Sequence, residues 1–324
     1  MSASVVVVGS YVQDHAWFCD TFPQRGETRV ATGFNTGPGG KGFNQALACA
    51  RQGIETLFIG SIGDDALGRT AQQFAQAEHL DAAWQVHADT PTAASSIVVD
   101  ARGENRIVVS LGANLRLDPA FVRSRLAGLA DTRLVLCQLE NNLDAVIAAF
   151  DAASAHGALC MLNPAPMHPA LDLTLLDRID IATPNETEFA LLLERCGHKD
   201  IKASQLTGLD DASLHALVRR LPLSTTVITL GAQGCFVSHA HDRRGDGLPF
   251  YRIAPETVDA IDTTGAGDAF SGTLAAALLH FDGIPFERAV RHANRAAAMS
   301  TEAIGTAPTM PTFVQIAARF GDLP

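Results

Sequence analysis

The sequence predicts an α/β protein of three layers, a mainly parallel central sheet between two layers of helices, and three observations carry that expectation. Short β-rich runs alternate with amphipathic helical patterns over most of the chain. Several runs are apolar without interruption, as strands covered on both faces must be. Gly53 and Gly157 fall just past helical patterns, where a left-handed residue closes a helix.

The elements follow in order. Met1-Ser2-Ala3-Ser4 runs straight into Val5–Gly9, a first buried strand without the basic region and cleavage pattern of a signal peptide. Phe43–Gln52 reads as a helix, Thr56–Ile62 as a strand and Ala66–Glu78 as the next helix. Strand Leu134–Leu139 leads to helix Leu143–His156, and Ala158–Leu162 and Ile179–Thr183 are further strands. Helix Glu186–Cys196 precedes strand Thr226–Leu230. Near the C-terminus Phe270, Leu274, Ala277 and Leu278 make an i, i+4, i+7, i+8 stripe.

Two stretches break this rhythm, 11–36 and about 92–110. In the second, Ala94–Asp100 and Arg106–Val109 flank the polar turn Ala101-Arg102-Gly103-Glu104-Asn105, which reads as a hairpin. Both stretches suit a small separate sheet, a lid, beside a single domain spanning 1–324. The segment Ser238–Pro249, with His239, His241, Asp242, Arg243 and Asp246, reads as a solvated surface loop.

Composition narrows the function. The 324 residues are 47% apolar and 18% charged, enough for one large globular domain. A net charge of −11 leaves no basic face to displace counterions, which argues against a nucleic-acid partner. No run of 18 apolar residues suggests a membrane span. The six cysteines, Cys19, Cys49, Cys137, Cys160, Cys196 and Cys235, form no C-x-x-C pair, so neither a disulfide framework nor a structural metal is expected. A cytosolic location follows as the expectation.

Two glycine-rich loops carry the chemistry. Gly37-Pro38-Gly39-Gly40-Lys41-Gly42 matches G-x-G-x-x-G, and Asp64 and Asp65 follow, so a dinucleotide-binding dehydrogenase is an alternative. That fingerprint should close the first strand, however, and the first strand ends far upstream at Gly9. A phosphate-binding Walker loop is excluded, because Gly42 follows Lys41 where Ser or Thr is required. What remains is backbone packed close to a ligand at a helix N-terminus, with Lys41 and Asn44 able to donate to hydroxyl groups. In the second loop, Asp262-Thr263-Thr264-Gly265-Ala266-Gly267-Asp268, small residues let backbone N–H groups converge at a helix start and stabilise an anion. Asp268 there is either a helix cap or a general base taking a hydroxyl proton while the amides hold phosphoryl charge.

These residues resemble the ribokinase (PfkB-type) family of sugar and nucleoside kinases. Gly39-Gly40-Lys41-Gly42-Phe43-Asn44-Gln45-Ala46 is similar to its N-terminal signature, and Asp262–Phe270 to its C-terminal D-T-x-G-A-G-D-x-F. Between and beyond them, Gln138-Leu139-Glu140, Asn163-Pro164-Ala165-Pro166, Thr183–Glu188, Ile228-Thr229-Leu230-Gly231 and Ala303–Thr309 keep ribokinase order and spacing.

The resemblance implies a ribokinase-like fold with its lid, and an ATP-dependent kinase acting on the 5-hydroxyl of D-ribose or 2-deoxy-D-ribose. Asp268 would be the base, and the Gly265, Ala266 and Gly267 backbone the anion hole. Asp14, Gly40, Lys41, Asn44 and Glu140 match sugar ligands. Thr229, Gly231 and Asn294 match nucleotide contacts. Asn185 and Glu188 match the N-x-x-E pair that orders Mg²⁺ through water, although a helix cap would use the same two residues. Asp262, Thr264, Ser300, Ala303, Gly305 and Thr309 match positions around an activating K⁺. A homodimer through the lid is implied as well.

One departure stands out. Ribokinases read G-S-x-N-x-D where this chain has Gly9-Ser10-Tyr11-Val12-Gln13-Asp14, so Val12 replaces an Asn that bonds a ribose hydroxyl. Either the sugar lacks that hydroxyl, as 2-deoxyribose does, or Tyr11 or Gln13 supplies the bond. Whether His15, Trp17 or Cys19 touch substrate stays open at this stage. Other PfkB-type substrates (fructose, nucleosides, ketodeoxy sugar acids) are the runner-up. A non-catalytic sugar sensor would have no use for the base Asp268.

Overall fold

The computed structural model describes residues 3–199 and 201–321. Its main sheet has nine strands in the order β13-β12-β11-β10-β9-β8-β1-β4-β5. These are β1 Val5–Val8, β4 Thr56–Gly63, β5 Asp81–His87, β8 Leu134–Cys137, β9 Leu159–Leu162, β10 Ile181–Ala182, β11 Thr225–Thr229, β12 Cys235–His239 and β13 Phe250–Ile253. Seven of them pair in parallel, and β12 and β13 add an antiparallel margin. A second sheet has the order β3-β2-β6-β7, with β2 Val12–Phe18, β3 Gly33–Gly39, β6 Ala94–Val99 and β7 Asn105–Ser110.

The uninterrupted apolar runs are explained by the two cores. In β1, Val6 and Val8 join one cluster with Phe150, Phe189 and Leu192, while Val5 and Val7 join the other with Phe43, Phe270 and Val290. In β8, Val135 and Cys137 go to the first and Leu134 and Leu136 to the second. Successive side chains point to opposite faces, so a strand with helices on both sides has no polar position to spend. Helices Leu143–Ala155 and Glu186–Arg195 cover one face; Lys41–Ala50, Ala266–His280 and Phe286–Ser300 cover the other. The three-layer α/β/α expectation holds.

Element ends shift by a residue or two. Ile179–Thr183 shortens to Ile181–Ala182, and Leu134–Leu139 stops at Cys137, freeing Gln138 for other work. One reading needs correction. Ser238 and His239 lie within β12, and both are buried, so the Ser238–Pro249 segment is not wholly a surface loop. The polar residues survive inside because they satisfy each other. His239 Nδ1 meets Thr225 Oγ1 at 3.1 Å, its Nε2 meets Asp246 Oδ2 at 3.1 Å, and Asp246 also accepts from the Tyr251 hydroxyl and the Glu287 N–H.

The hairpin of β6 and β7 is closed by Asp100, whose Oδ1 accepts the Arg102 and Glu104 N–H groups at 2.9 and 3.0 Å. The strand β7 is exposed throughout.

Candidate active site

The site forms where the C-terminal ends of the parallel strands meet two helix N-termini, the usual ligand position in open α/β sheets. Helix Lys41–Ala50 starts at Gly40, whose φ is +90°. A Cβ there would lie 2.6 Å from Val12 N and 2.9 Å from Ser10 O, so only glycine brings this helix onto the end of β1. Glu140, just beyond β8, closes the join: its Oε2 accepts from Ser10 Oγ at 2.5 Å and from Lys41 N–H at 3.0 Å.

Helix Ala266–His280 starts at Gly265, in the left-handed region with φ +81°. Its first backbone bond runs from Ala269 N–H to Gly265 C=O at 2.8 Å, so the amides of Gly267 and Asp268 have no intrahelical partner. Asp268 is 5% exposed and accepts on both oxygens, from Asn44 Nδ2 on Oδ2 and Gln45 Nε2 on Oδ1, each at 2.9 Å. A buried carboxylate and free helix amides thus lie together at one helix start, within range of the Lys41 charge, an arrangement that can hold an anion and take up a proton. Burial alone would push the Lys41 ammonium down, but the carboxylates of Asp268, Glu140 and Glu188 outweigh it and hold the group above its usual range.

Asp14 comes from the second sheet. Ser95 Oγ donates to its Oδ1 at 2.6 Å. Burial, reinforced by the charges of Glu140 and Asp268, pushes its carboxyl up to about 6 in spite of the serine bond. Strand alternation puts Val12 and Asp14 on one face of β2 and Gln13, His15 and Trp17 on the other, and Tyr11, just before the strand, is buried in the main-body core. Tyr11 Oη donates to Gln13 Oε1 at 2.6 Å and Gln13 Nε2 to Thr36 Oγ1 at 3.0 Å, so both polar candidates near Val12 are engaged elsewhere. His15 and Trp17 pack on Phe34, and Cys19 is buried against Val99, all away from Asp14. Beyond Asp14 lies a cavity of about 220 Å³, lined by Ile97 and Val99 on the sheet side and by Ile261, Ile304 and Thr306 opposite.

At the other end of the cleft, Asn185 and Glu188 form a full capping box. Asn185 N–H donates to Glu188 Oε2 at 2.9 Å and Glu188 N–H to Asn185 Oδ1 at 2.9 Å. Burial raises the Glu188 carboxyl despite the bond from Asn185 and the Lys41 charge. Asn185 also bridges to Thr229 at the end of β11, and Gly231 turns the chain there with φ +53°. Asn294 does not stand free: its Nδ2 donates to Ala254 C=O at 3.0 Å.

The loops of the expected monovalent-cation site adjoin. Asp262 accepts from Thr264 N–H at 2.9 Å and Gly305 N–H at 3.1 Å, and Thr309 Oγ1 donates to Gly305 C=O at 3.2 Å. The Ser300 hydroxyl is spent on Ala297 C=O of its own helix, and Ala303 is exposed. Residues outside the expected set hold these loops. Arg51 donates to the carbonyls of Pro308 and Met310 at 2.9 and 2.6 Å while paired with Glu78, and Thr306 Oγ1 reaches Pro38 C=O at 3.2 Å. No spacing pattern marks them, since their partners are main-chain atoms.

The dinucleotide reading fails on placement. Gly37–Gly42 runs from the end of β3 of the small sheet into the following helix and does not close β1, and Asp65 caps the next helix through Gly68 N–H at 2.8 Å.

Comparison with known proteins agrees with this geometry. The profile of the pfkB family carbohydrate kinases matches residues 2–313. A ribokinase of Haemophilus influenzae is 36% identical over 322 residues, covering 96% of both chains. A deoxyribokinase of Salmonella typhi is 29% identical, again with 96% of each covered. The structure of an Arabidopsis thaliana ribokinase complexed with ribose and ATP superposes with a TM-score of 0.77, at 28% identity, over 98% of both chains.

Proposed function

The chain belongs to the pfkB family of carbohydrate kinases, and we propose that it transfers the γ-phosphoryl group of ATP to the 5-hydroxyl of a pentose, with Asp268 as general base. One observation carries the assignment: a buried carboxylate in the first turn of a helix whose leading amides have no intrahelical partner. In this reading the sugar lies between Asp14, Lys41, Asn44 and Glu140. Asp268 takes the hydroxyl proton, and the backbone of Gly265, Ala266 and Gly267 receives the charge that builds on the transferred group. Lys41 and the amides do electrostatic work at fixed positions and need no rearrangement during the step.

Thr229, Gly231 and Asn294 line the nucleotide side. For Asn294 the bond to Ala254 C=O supports a supporting role, pinning the strap after β13. Asn185 and Glu188 offer amide and carboxylate oxygens, the donor set a Mg²⁺ ion prefers, and an ion held there through water would neutralise phosphate charge. Asp262, Thr264, Gly305 and Thr309 fit a K⁺ site because their loops are tied side by side and present oxygen atoms. Ser300 and Ala303 contribute at most backbone carbonyls.

The particular pentose turns on Val12. Its isopropyl group makes no hydrogen bond, and Tyr11 and Gln13 bond away from the site. A ribose hydroxyl buried against it goes unpaired, at a cost of about 1–3 kcal/mol. We therefore read the enzyme as one that turns over 2-deoxy-D-ribose at least as well as D-ribose. The second sheet acts as a lid, and its outer face supports a homodimer. Phe34 and Val108 stand exposed there, the latter at 75%, beside the unpaired edge of β7. Light scattering at micromolar concentration should show a dimer. The setting proposed is the cytosol, in keeping with six free thiols.

The test is initial-rate ADP production with Mg-ATP and K⁺, comparing the two pentoses, with Asp268→Asn as control. Activity on either pentose that depends on Asp268 supports the reading. Activity on neither overturns it.

A further inference from the structure

Asp268 takes one hydrogen bond from a residue of the sugar site, Asn44, and one from a residue that reaches no substrate. Gln45 is fully buried, and its Nε2 donates to Asp268 Oδ1 at 2.9 Å and to Asn163 Oδ1 at 3.0 Å. Its Oε1 accepts from Gln138 Nε2 at 2.5 Å. Asn163 Nδ2 in turn donates to Thr183 C=O at 2.8 Å. Gln138, Asn163 and Thr183 each occupy the position just past the end of β8, β9 or β10, so three adjacent strand ends and one helix build the chain of bonds.

Its direction is determined. A main-chain carbonyl only accepts, so Asn163 must turn its NH₂ toward Thr183 and its oxygen toward Gln45. Gln45 must then present NH₂ to Asn163, and the acceptor-only carboxylate of Asp268 demands the same group. That leaves Gln45 Oε1 as an acceptor, which Gln138 satisfies as donor. Gln138 Oε1, at the end of the chain, is buried without a partner among the described residues. Amides that could each face either way are thus set one way by the carbonyl at one end and the carboxylate at the other.

We propose that Gln45, oriented by Asn163 and Gln138, is a positioning residue for the catalytic base. The inference rests on the reading of Asp268 as that base. Gln45 can only donate toward Asp268, so it holds Oδ1 in place before and after the carboxylate is protonated. The proton leaving the sugar hydroxyl goes to a carboxylate lone pair that neither Gln45 nor Asn44 occupies. As the O–H bond of the sugar breaks, the new O–H bond forms there, and the neutral acid still accepts from Gln45. The carboxylate plane stays fixed throughout.

The experiment compares kcat, and separately the equilibrium Kd for the pentose by calorimetry, in Gln45→Met, Gln138→Met and Gln138→Glu. Methionine keeps the unbranched shape and removes the donor. Gln45→Met should lower kcat about 10- to 100-fold, the scale of a lost bond to a charged group. Its Kd should stay within about twofold of the parent, because only the chemical step is touched. Glu at 138 matches glutamine in shape but cannot donate when ionised, so it draws the Gln45 NH₂ away and turns its oxygen toward Asp268. Gln138→Glu should therefore be slower than Gln138→Met. A role in packing alone gives the reverse order.

Three results would overturn the proposal: a Gln45→Met kcat within about twofold of the parent, a loss that appears wholly as weaker pentose binding, or a Gln138→Glu enzyme at least as fast as Gln138→Met. Should Gln45→Met not fold, the order of the two Gln138 variants decides by itself. The parent's rate on pentoses tests the proposed function, and the ratios of variant to parent test the positioning role.

Discussion

Asp268 and Asp14, the carboxylates on either side of the proposed sugar position, live in opposite surroundings. Asp268 is set in a main-body helix with both oxygens held by buried amides. Asp14 hangs from a strand of the small sheet, holds one serine hydroxyl, and is pushed up to about 6 by burial and by its carboxylate neighbours. The first arrangement is finished before substrate arrives. The second is incomplete, and hydroxyl donors from a sugar would stabilise its charged form. In the proposed reading the chemistry sits on a helix of the main body, and part of the recognition, through Asp14, on a four-stranded sheet anchored to it at Pro38, where Thr306 Oγ1 reaches the carbonyl at 3.2 Å.

The contrast can be broken at several points. The largest effect belongs to Asp268→Asn, which removes the base while leaving a side chain of the same shape. Its kcat should fall about 10²- to 10⁴-fold with pentose Kd little changed; steady-state rates with calorimetry check both. Asp14→Asn should do the opposite, raising pentose Kd about 10- to 100-fold through the loss of charge-assisted bonds, with a smaller change in kcat.

A pH series sharpens the same point. Binding favours the charged Asp14, so it lowers the group's pKa and releases a proton. Pentose affinity should therefore rise with pH toward about 6 and level off above it. The free protein shows the opposite sign from this group. Raised in the folded state from 3.8 to about 6, it binds more protons folded than unfolded, so its contribution to stability declines as pH climbs through that window. Proton release on titrating pentose in two buffers of different ionisation heat would measure the effect. Zero release at pH 6 would contradict it.

Much of this was legible in the residues. The valines of β1 had to be buried on both faces, and Gly265 beside Asp268 had to mark a tight helix start, because each feature is local in the chain. The Gln45–Gln138–Asn163 chain was not legible, although all three residues lie in recognised motifs, because its partners come from four separate elements. Neither was the burial of His239 and Asp246. A polar loop segment and a paired polar cluster read alike until the partners, Thr225 and Tyr251, are brought alongside. Tyr11 and Gln13 stood as possible substitutes for the missing donor at position 12 until alternation along β2 turned Gln13 to the other face and the Tyr11 hydroxyl was found bonded to it.

The most direct test of a fixed chemical end and an adjustable recognition end is the ratio of kcat/KM for D-ribose to that for 2-deoxy-D-ribose, measured in the parent and in Val12→Asn. The substitution restores a donor and should move the ratio about tenfold toward ribose, the worth of one buried hydrogen bond. The kcat on 2-deoxyribose should stay near the parent's, since Asp268 and its amides are untouched. An unchanged ratio, or a kcat that collapses on both sugars, would contradict the division of labour between the two regions.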